Sequence, residues 1–210
     1  LYFYHHVLGF KKRRKLNSVF LGKDSYEDEI NLLIKKRSLR MKKMAERELI
    51  EFISTRISEG KVVGWFEGRA EFGPRALGHR SILADPRNPG MKDIVNAKIK
   101  FREEFRPFAP VILTEHADKY FNITSNTLSP FMLGAFEAKL PAKKNSPATV
   151  HEDGTSRVQV VDKNYAGKYR KLLHAFYKKT GVPVLLNTSF NLNGEPIVNT
   201  PEDAYKTFIS

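Results

Sequence analysis

Residues 61–86, KVVGWFEGRAEFGPRALGHRSILADP, decide how the chain is read. The opening apolar run, KVVGWF, has the character of a buried strand. It feeds a segment in which Arg69, Arg75 and Arg80 are set among Gly68, Gly73 and Gly78. Glycines allow tight backbone turns, and each arginine presents a fixed fork of donors suited to phosphate or carboxylate. A cationic glycine loop hung from a strand end is a cradle for an anionic ligand. The plainer reading is that an arginine after Gly-Pro, taken alone, is a surface residue.

Outward from this loop the pattern is mixed α/β. Strands are expected at 61–66, 80–84, 108–113, 131–138, 157–161 and 183–187, and helices at 91–101, 115–121, 167–180 and 201–209. Gly181 with Pro183 stops one helix, and Pro201 with Glu202 and Asp203 starts the last. The segment 139–156 reads as a loop. Upstream, Ser25 is placed to cap a helix over 26–36, and a second helix runs over 42–58 to Gly60. The opening LYFYHHVLGF resembles the end of a helix whose packing partner lies elsewhere, and 11–25 reads as a linker.

The chain has 210 residues, 41% hydrophobic, with 15 Phe and 8 Tyr, enough for a substantial core. Cysteine is absent, which excludes disulfides and thiolate metal sites. No apolar run has the length of a membrane span and no secretory signal stands at the front, so no membrane partner and a cytoplasmic location are expected. The formal net charge is +13, which suits an acidic partner. The basic runs at 11–15 and 35–43 lie outside the glycine loop and read as solvated surface or linker, with nucleic-acid binding as the competing reading.

Four clusters join the loop. Asn96, Lys98, Lys100, Arg102 and Arg106 lie in NAKIKFREEFRPFAP, where residues 96 and 100 share a helical face and Pro107 turns the chain. His151, Asp153, Gly154, Thr155 and Arg157 surround an Asp-Gly turn. Asn187, Thr188, Ser189 and Asn191 in PVLLNTSFN mark a buried strand whose carboxyl end opens into a loop, where open α/β sheets bind ligands. Asn193-Gly194-Glu195-Pro196 is a tight turn. Each has a bland alternative, His151 as a satisfied loop residue among them. Together they describe a polyphosphate pocket. No G-x-x-x-x-G-K-[ST], G-x-G-x-x-G after a strand, H-E-x-x-H, nucleophile elbow or paired-carboxylate motif occurs, so catalysis would be positioning and charge neutralisation.

The stretches EGRAEFGPRALGHRSILADPRNP, NAKIKFREEFRPFAPVIL, FMLGAFE, HEDGTSRVQVV and TGVPVLLNTSFNLNGEPIVNTPEDA resemble the C-terminal part of the carbamoyltransferase family, which includes nodulation-factor and antibiotic O-carbamoyltransferases. The resemblance covers about residues 17–210. It implies an α/β fold of YrdC-like type: a twisted mixed β-sheet with flanking helices and a concave basic face. It implies that residues 1–16 are the tail of an actin-like N-terminal domain, the chain's own partner, which passes the carbamoyl group to an acceptor hydroxyl. The C-terminal domain would take carbamoyl phosphate and ATP, with Mg2+, and form carbamoyl-adenylate.

The residues carried over are Arg75, Lys100 and Arg106 as catalytic groups, with Arg157, Asn187 and Ser189 completing the substrate site. Glu71 and Phe72 would shape its mouth and, with Ser189, meet the nucleotide. No metal ligands are identified. Phe101 and Glu152 depart from the family's usual residues. Competing readings are a YrdC-like double-stranded RNA or nucleotide-binding module and a threonylcarbamoyl-adenylate synthase-like enzyme.

Overall fold

A computed structural model describes residues 2–12, 18–23, 25–101, 103, 105–123, 128–165 and 167–210. Five strands form one mixed sheet in the order β1 (Val63–Phe66), β2 (Arg80–Ala84), β7 (Val184–Ser189), β3 (Ala109–Leu113) and β6 (Gln159–Val161). The β3–β6 pair is parallel and the other neighbours are antiparallel. A separate antiparallel pair joins β4 (Phe136–Glu137) to β5 (Thr155–Ser156). The helices are α1 (Glu27–Arg37), α2 (Glu46–Ser58), α3 (Met91–Val95), α4 (Thr114–Tyr120), α5 (Leu140–Asn145), α6 (Tyr169–Thr180) and α7 (Pro201–Ile209).

Both faces of the sheet are covered, so its central strands read as continuous apolar runs. Leu83, Val111, Leu113 and Leu185 pack with Ile57 of α2 and Leu172, Leu173 and Phe176 of α6. On the other side Ala84 and Leu186 meet Met91, Val95 and Phe108, and Ile82 meets Phe190 and Val198. Each such side chain contributes about 1.5–3 kcal/mol when fully buried. The punctuation behaves as the residues require. Thr200 and Asp203 form a capping box with Pro201 in the first turn of α7, and Gly181 closes α6 at φ 73°.

Several expectations are corrected. The 139–156 loop contains α5, a 3-10 turn at Pro147–Thr149 and β5. Its prolines read as breakers but sit at helix starts, where a missing N–H costs nothing. The 131–138 strand shrinks to β4, preceded by a 3-10 turn at Ser129–Phe131 and by Met132 at φ 53°; a short apolar run does not by itself separate strand from buried turn. The 91–101 helix divides into α3 and a π-helical turn, Asn96–Lys100, which Phe101 ends at φ 45°. The 157–161 strand starts two residues late, at Gln159. Ser25 Oγ accepts from Glu27 N at 3.4 Å, but Tyr26 holds the cap position of α1. Part of the 11–25 linker is tied down: Phe20 bridges Glu71, and Gly22 N donates to Ala70 O. Residues 13–17, and with them the expected 16/17 boundary, lie outside the described residues. The opening segment forms a π-helical turn, Phe3–Val7, with no buried residue.

The glycine loop joins β1 to β2. Gly78 is fixed there by two constraints: its φ is 108°, and an added Cβ would run into the Tyr169 ring. Gly78→Ala is expected to lower unfolding stability by about 2–4 kcal/mol, from backbone strain plus overpacking. Urea denaturation checks this, and an unchanged midpoint contradicts it.

Candidate functional site

The glycine loop is folded around one carboxylate. Glu71 Oε1 accepts from the backbone N–H groups of Leu77 (2.8 Å), His79 (2.7 Å) and Arg80 (3.3 Å). Arg80 is fully buried and staples the loop from beneath. It donates to the carbonyls of Glu67 (2.8 Å), Gly68 (3.0 Å) and His79 (3.0 Å), and its guanidinium lies 3.5 Å from the Phe66 ring centroid. His79 Nδ1 meets Arg69 O at 2.6 Å, and its ring stacks on Phe20 at 3.8 Å. The loop is therefore held firmly where it meets the sheet and presents Pro74 and Arg75 outward, with Ala76 buried behind them.

That outward segment walls a cavity of about 300 Å³. Arg75 comes from the loop, Arg106 from the approach to β3, and His151 and Arg157 from either side of β5. Asn187 and Ser189 come from the carboxyl end of β7. Antiparallel pairing of Ala109 with Asn187 brings the start of β3 against the end of β7, so chain segments distant in sequence open on one hollow. Asn187 is 1% exposed, whereas Arg75, Arg106 and Arg157 are exposed. Arg106 pairs with Glu103 at 2.9 Å. Among the described residues Arg75 and Arg157 have neither an ion pair nor a hydrogen bond. Partial burial and the neighbouring charge of Arg157 both push the Arg75 pKa down. Like charges held together this way favour an anion between them.

Lys100 does not line the cavity. It is 3% exposed, and its Nζ donates to Ser189 O (2.5 Å), Asn191 Oδ1 (2.7 Å), Asn191 O (2.9 Å) and Ser189 Oγ (3.3 Å). Ser189 Oγ in turn donates to Asn191 Oδ1 at 2.6 Å. Lys100 thus reaches the site through Ser189, whose position it fixes. Asn96 is buried one turn before Lys100 and donates to Arg106 O at 3.1 Å.

The remaining candidates stand apart. Glu71 is spent on the loop backbone. Phe72 is 76% exposed, and neither residue lines the cavity. Arg69 and Lys98 are exposed away from it, and Arg102 lies outside the described residues. Arg80, which its sequence setting groups with Arg69 and Arg75, belongs to the scaffold because carbonyls and aromatic faces already compensate its buried charge. Asn193–Pro196 is a structural turn, in which Glu195 accepts from Leu192 N (3.0 Å) and Thr207 Oγ1 (3.2 Å). Sequence reasoning passed over Gln159. It is a buried polar residue in a strand, donating to Leu77 O at 2.7 Å and accepting from Asn187 Nδ2 at 3.0 Å.

Comparison with known proteins fits this geometry. The family model described as "Carbamoyltransferase C-terminus" matches residues 54–210. The chain belongs to this family. It is 41% identical over 203 residues to nodulation protein NolNO of Sinorhizobium fredii, covering 94% of this chain and 29% of that protein. It is 46% identical over 155 residues to nodulation protein NolO of Bradyrhizobium diazoefficiens, covering 73% of this chain and 28% of NolO. The chain thus spans less than a third of these relatives. Full-length HypF, crystallised in a phosphate- and nucleotide-bound form, superposes with a TM-score of 0.52 at 19% identity, covering 78% of this chain and 23% of HypF. The fold class is the expected YrdC-like one, a mixed sheet with flanking helices. Among the described residues no helix is long and apolar enough to cross a membrane.

His151 offers a reporter of the cavity. Burial lowers its pKa below the ordinary 6.5; Asp153 opposes this and Arg157 adds to it. An anion in the cavity supplies the missing negative charge, so inorganic pyrophosphate is expected to raise the His151 midpoint. By linkage, pyrophosphate binding tightens as pH falls through the free protein's value. A titration of the imidazole resonances by NMR checks this, and an unmoved midpoint places the anion elsewhere.

Proposed function

We propose that this chain is the carbamoyl-activating part of an O-carbamoyltransferase, binding carbamoyl phosphate and ATP in the cavity and forming carbamoyl-adenylate. The observation that carries this reading is the meeting of Arg75, Arg106 and Arg157 around one hollow, two of them without a counter-ion among the described residues. Family membership and the phosphate- and nucleotide-bound HypF of the same fold support it.

In this reading water takes the phosphoryl group of carbamoyl phosphate, giving carbamate and phosphate. A carbamate oxygen then attacks the α-phosphorus of ATP, the bond to the β-phosphate oxygen breaks, and pyrophosphate leaves. These anions repel one another by several kcal/mol at contact, even at an effective dielectric constant of about 20. Arg75, Arg106 and Arg157 cancel that repulsion in place, and Ser189, anchored by Lys100, holds a hydroxyl beside the reacting groups. No group of three His, Cys, Asp or Glu side chains among the described residues is placed to hold Mg2+, and no step here runs through the ion. Residues 1–16 lead back to the domain that would carry the acceptor hydroxyl.

The nucleic-acid reading needs a continuous basic groove. The cleft of about 810 Å³ between α2 and α6 carries Arg47, Lys163 and Lys178, but Lys171 pairs with Glu46 and Lys179 with Glu51, so acids interrupt it.

Arg75→Ala and Arg157→Ala alter exposed side chains and should leave folding intact. Each is expected to weaken carbamoyl phosphate binding about 10–100-fold, the worth of a charge-assisted contact. Calorimetric titration measures this. Parental affinity in both variants contradicts the assignment.

A further inference from the structure

The cavity's arginines only donate, and beside them stands a buried acceptor set by a chain of fixed amides. Gln159, on β6, is 1% exposed. Its Nε2 donates to Leu77 O at 2.7 Å. A backbone carbonyl only accepts, so this amide has one possible orientation. Its Oε1 therefore faces Asn187 and accepts from Asn187 Nδ2 at 3.0 Å. The other hydrogen of Asn187 Nδ2 goes to Ala76 O, also at 3.0 Å. Both donors of the Asn187 amide are thereby committed to the scaffold. Its Oδ1 is buried and, among the described residues, has no partner.

Asn187 nevertheless lines the cavity, beside Arg75, Arg106 and Arg157, which offer only donors, and Ser189, whose proton goes to Asn191. A phosphate oxygen satisfies the arginines but not Asn187 Oδ1, which needs a ligand N–H. We propose that Gln159 is a specificity-determining positioning residue. By helping to commit both Asn187 Nδ2 hydrogens to the scaffold, it leaves Oδ1 as the amide's one unpaired polar atom beside the cavity, and so selects acyl phosphates whose acyl group carries an N–H, the carbamoyl class, over isosteres that present a methyl group. This rests on the reading of the cavity as an acyl phosphate site.

The test uses two hydrolysis-resistant probes that differ only in NH2 against CH3: phosphonoacetamide and acetonylphosphonate. Inorganic phosphate serves as the reference, and all three are titrated calorimetrically. The unaltered protein is expected to favour the amide probe by about tenfold or more, since the methyl probe leaves the buried acceptor unpaired. Gln159→Met removes one of the two acceptors that hold Asn187 Nδ2. The preference is expected to fall severalfold, to about threefold or less, with inorganic phosphate affinity retained. Gln159→Glu, neutral in this buried place, donates its acid O–H to Leu77 O, keeps an oxygen toward Asn187 Nδ2 and is expected to keep the preference when measured below the pH at which that acid ionises. A purely structural role for Gln159 would weaken all probes together and leave their ratio unchanged, and that result overturns the inference.

Equal binding of the two probes by the unaltered protein also overturns it, while leaving the acyl phosphate reading standing. Failure of all three probes to bind removes both. Should Gln159→Met not fold, the unaltered protein and Gln159→Glu decide the matter, because equal affinity in the first or a lost preference in the second contradicts the inference.

Discussion

Glu71 accepts three backbone N–H groups across the glycine loop, and the geometry of the site follows from that contact. With those donors gathered, the loop cannot open away from β2. Its next residues then face the sheet in a fixed order: Arg75 toward the cavity, Ala76 O toward Asn187, and Leu77 O toward Gln159 and Tyr165. The loop binds the strand ends as much as it would bind a ligand. A carboxylate accepting several N–H groups is a strong, charge-assisted device, and here it organises a segment whose glycines give it little intrinsic order.

The cations divide into two kinds. Arg80 and Lys100 are buried, their charged ends engaged by carbonyls, an aromatic face or side-chain oxygens, and they hold the frame. Arg75 and Arg157 stand at the cavity with no such partners among the described residues, and their charge is left for something else. Burying a charge is tolerable only when it is compensated, which makes the buried, compensated cations scaffold; Arg75 and Arg157 are exposed, and in the proposed function theirs is the charge an anion meets. By this criterion Lys100 acts through Ser189, one contact removed from the cavity. The overall charge of +13 says little about which cation does which, because most of it lies on helices and exposed segments away from the hollow.

Much of the frame was legible because local rules and global packing agree. RSILA and VPVLLN are buried strands, KVVGWF ends in the half-buried edge strand β1, and the stop at Gly181 and the start at Pro201 are set by local backbone and capping chemistry. The strand-end placement of Asn187 and Ser189 followed from the change from apolar to polar residues in PVLLNTSFN. What failed was of a different kind. Pro141 and Pro147 looked like breakers and proved to be helix starts. Arg69, Arg75 and Arg80 look alike in sequence, and only tertiary contacts separate the buried staple from the exposed cation. Gln159 gives no local signal, since its role depends on a carbonyl 82 residues away and an amide 28 residues away. The pinning of Phe20 against the loop was hidden for the same reason.

A crystal structure of the protein grown with carbamoyl phosphate or phosphonoacetamide tests the central claim most directly. Density for the phosphoryl or phosphonate group is expected between Arg75 and Arg157, with the rest of the ligand against Asn187 and Ser189. Density at another surface, with those arginines turned to different sides of the molecule, would contradict it.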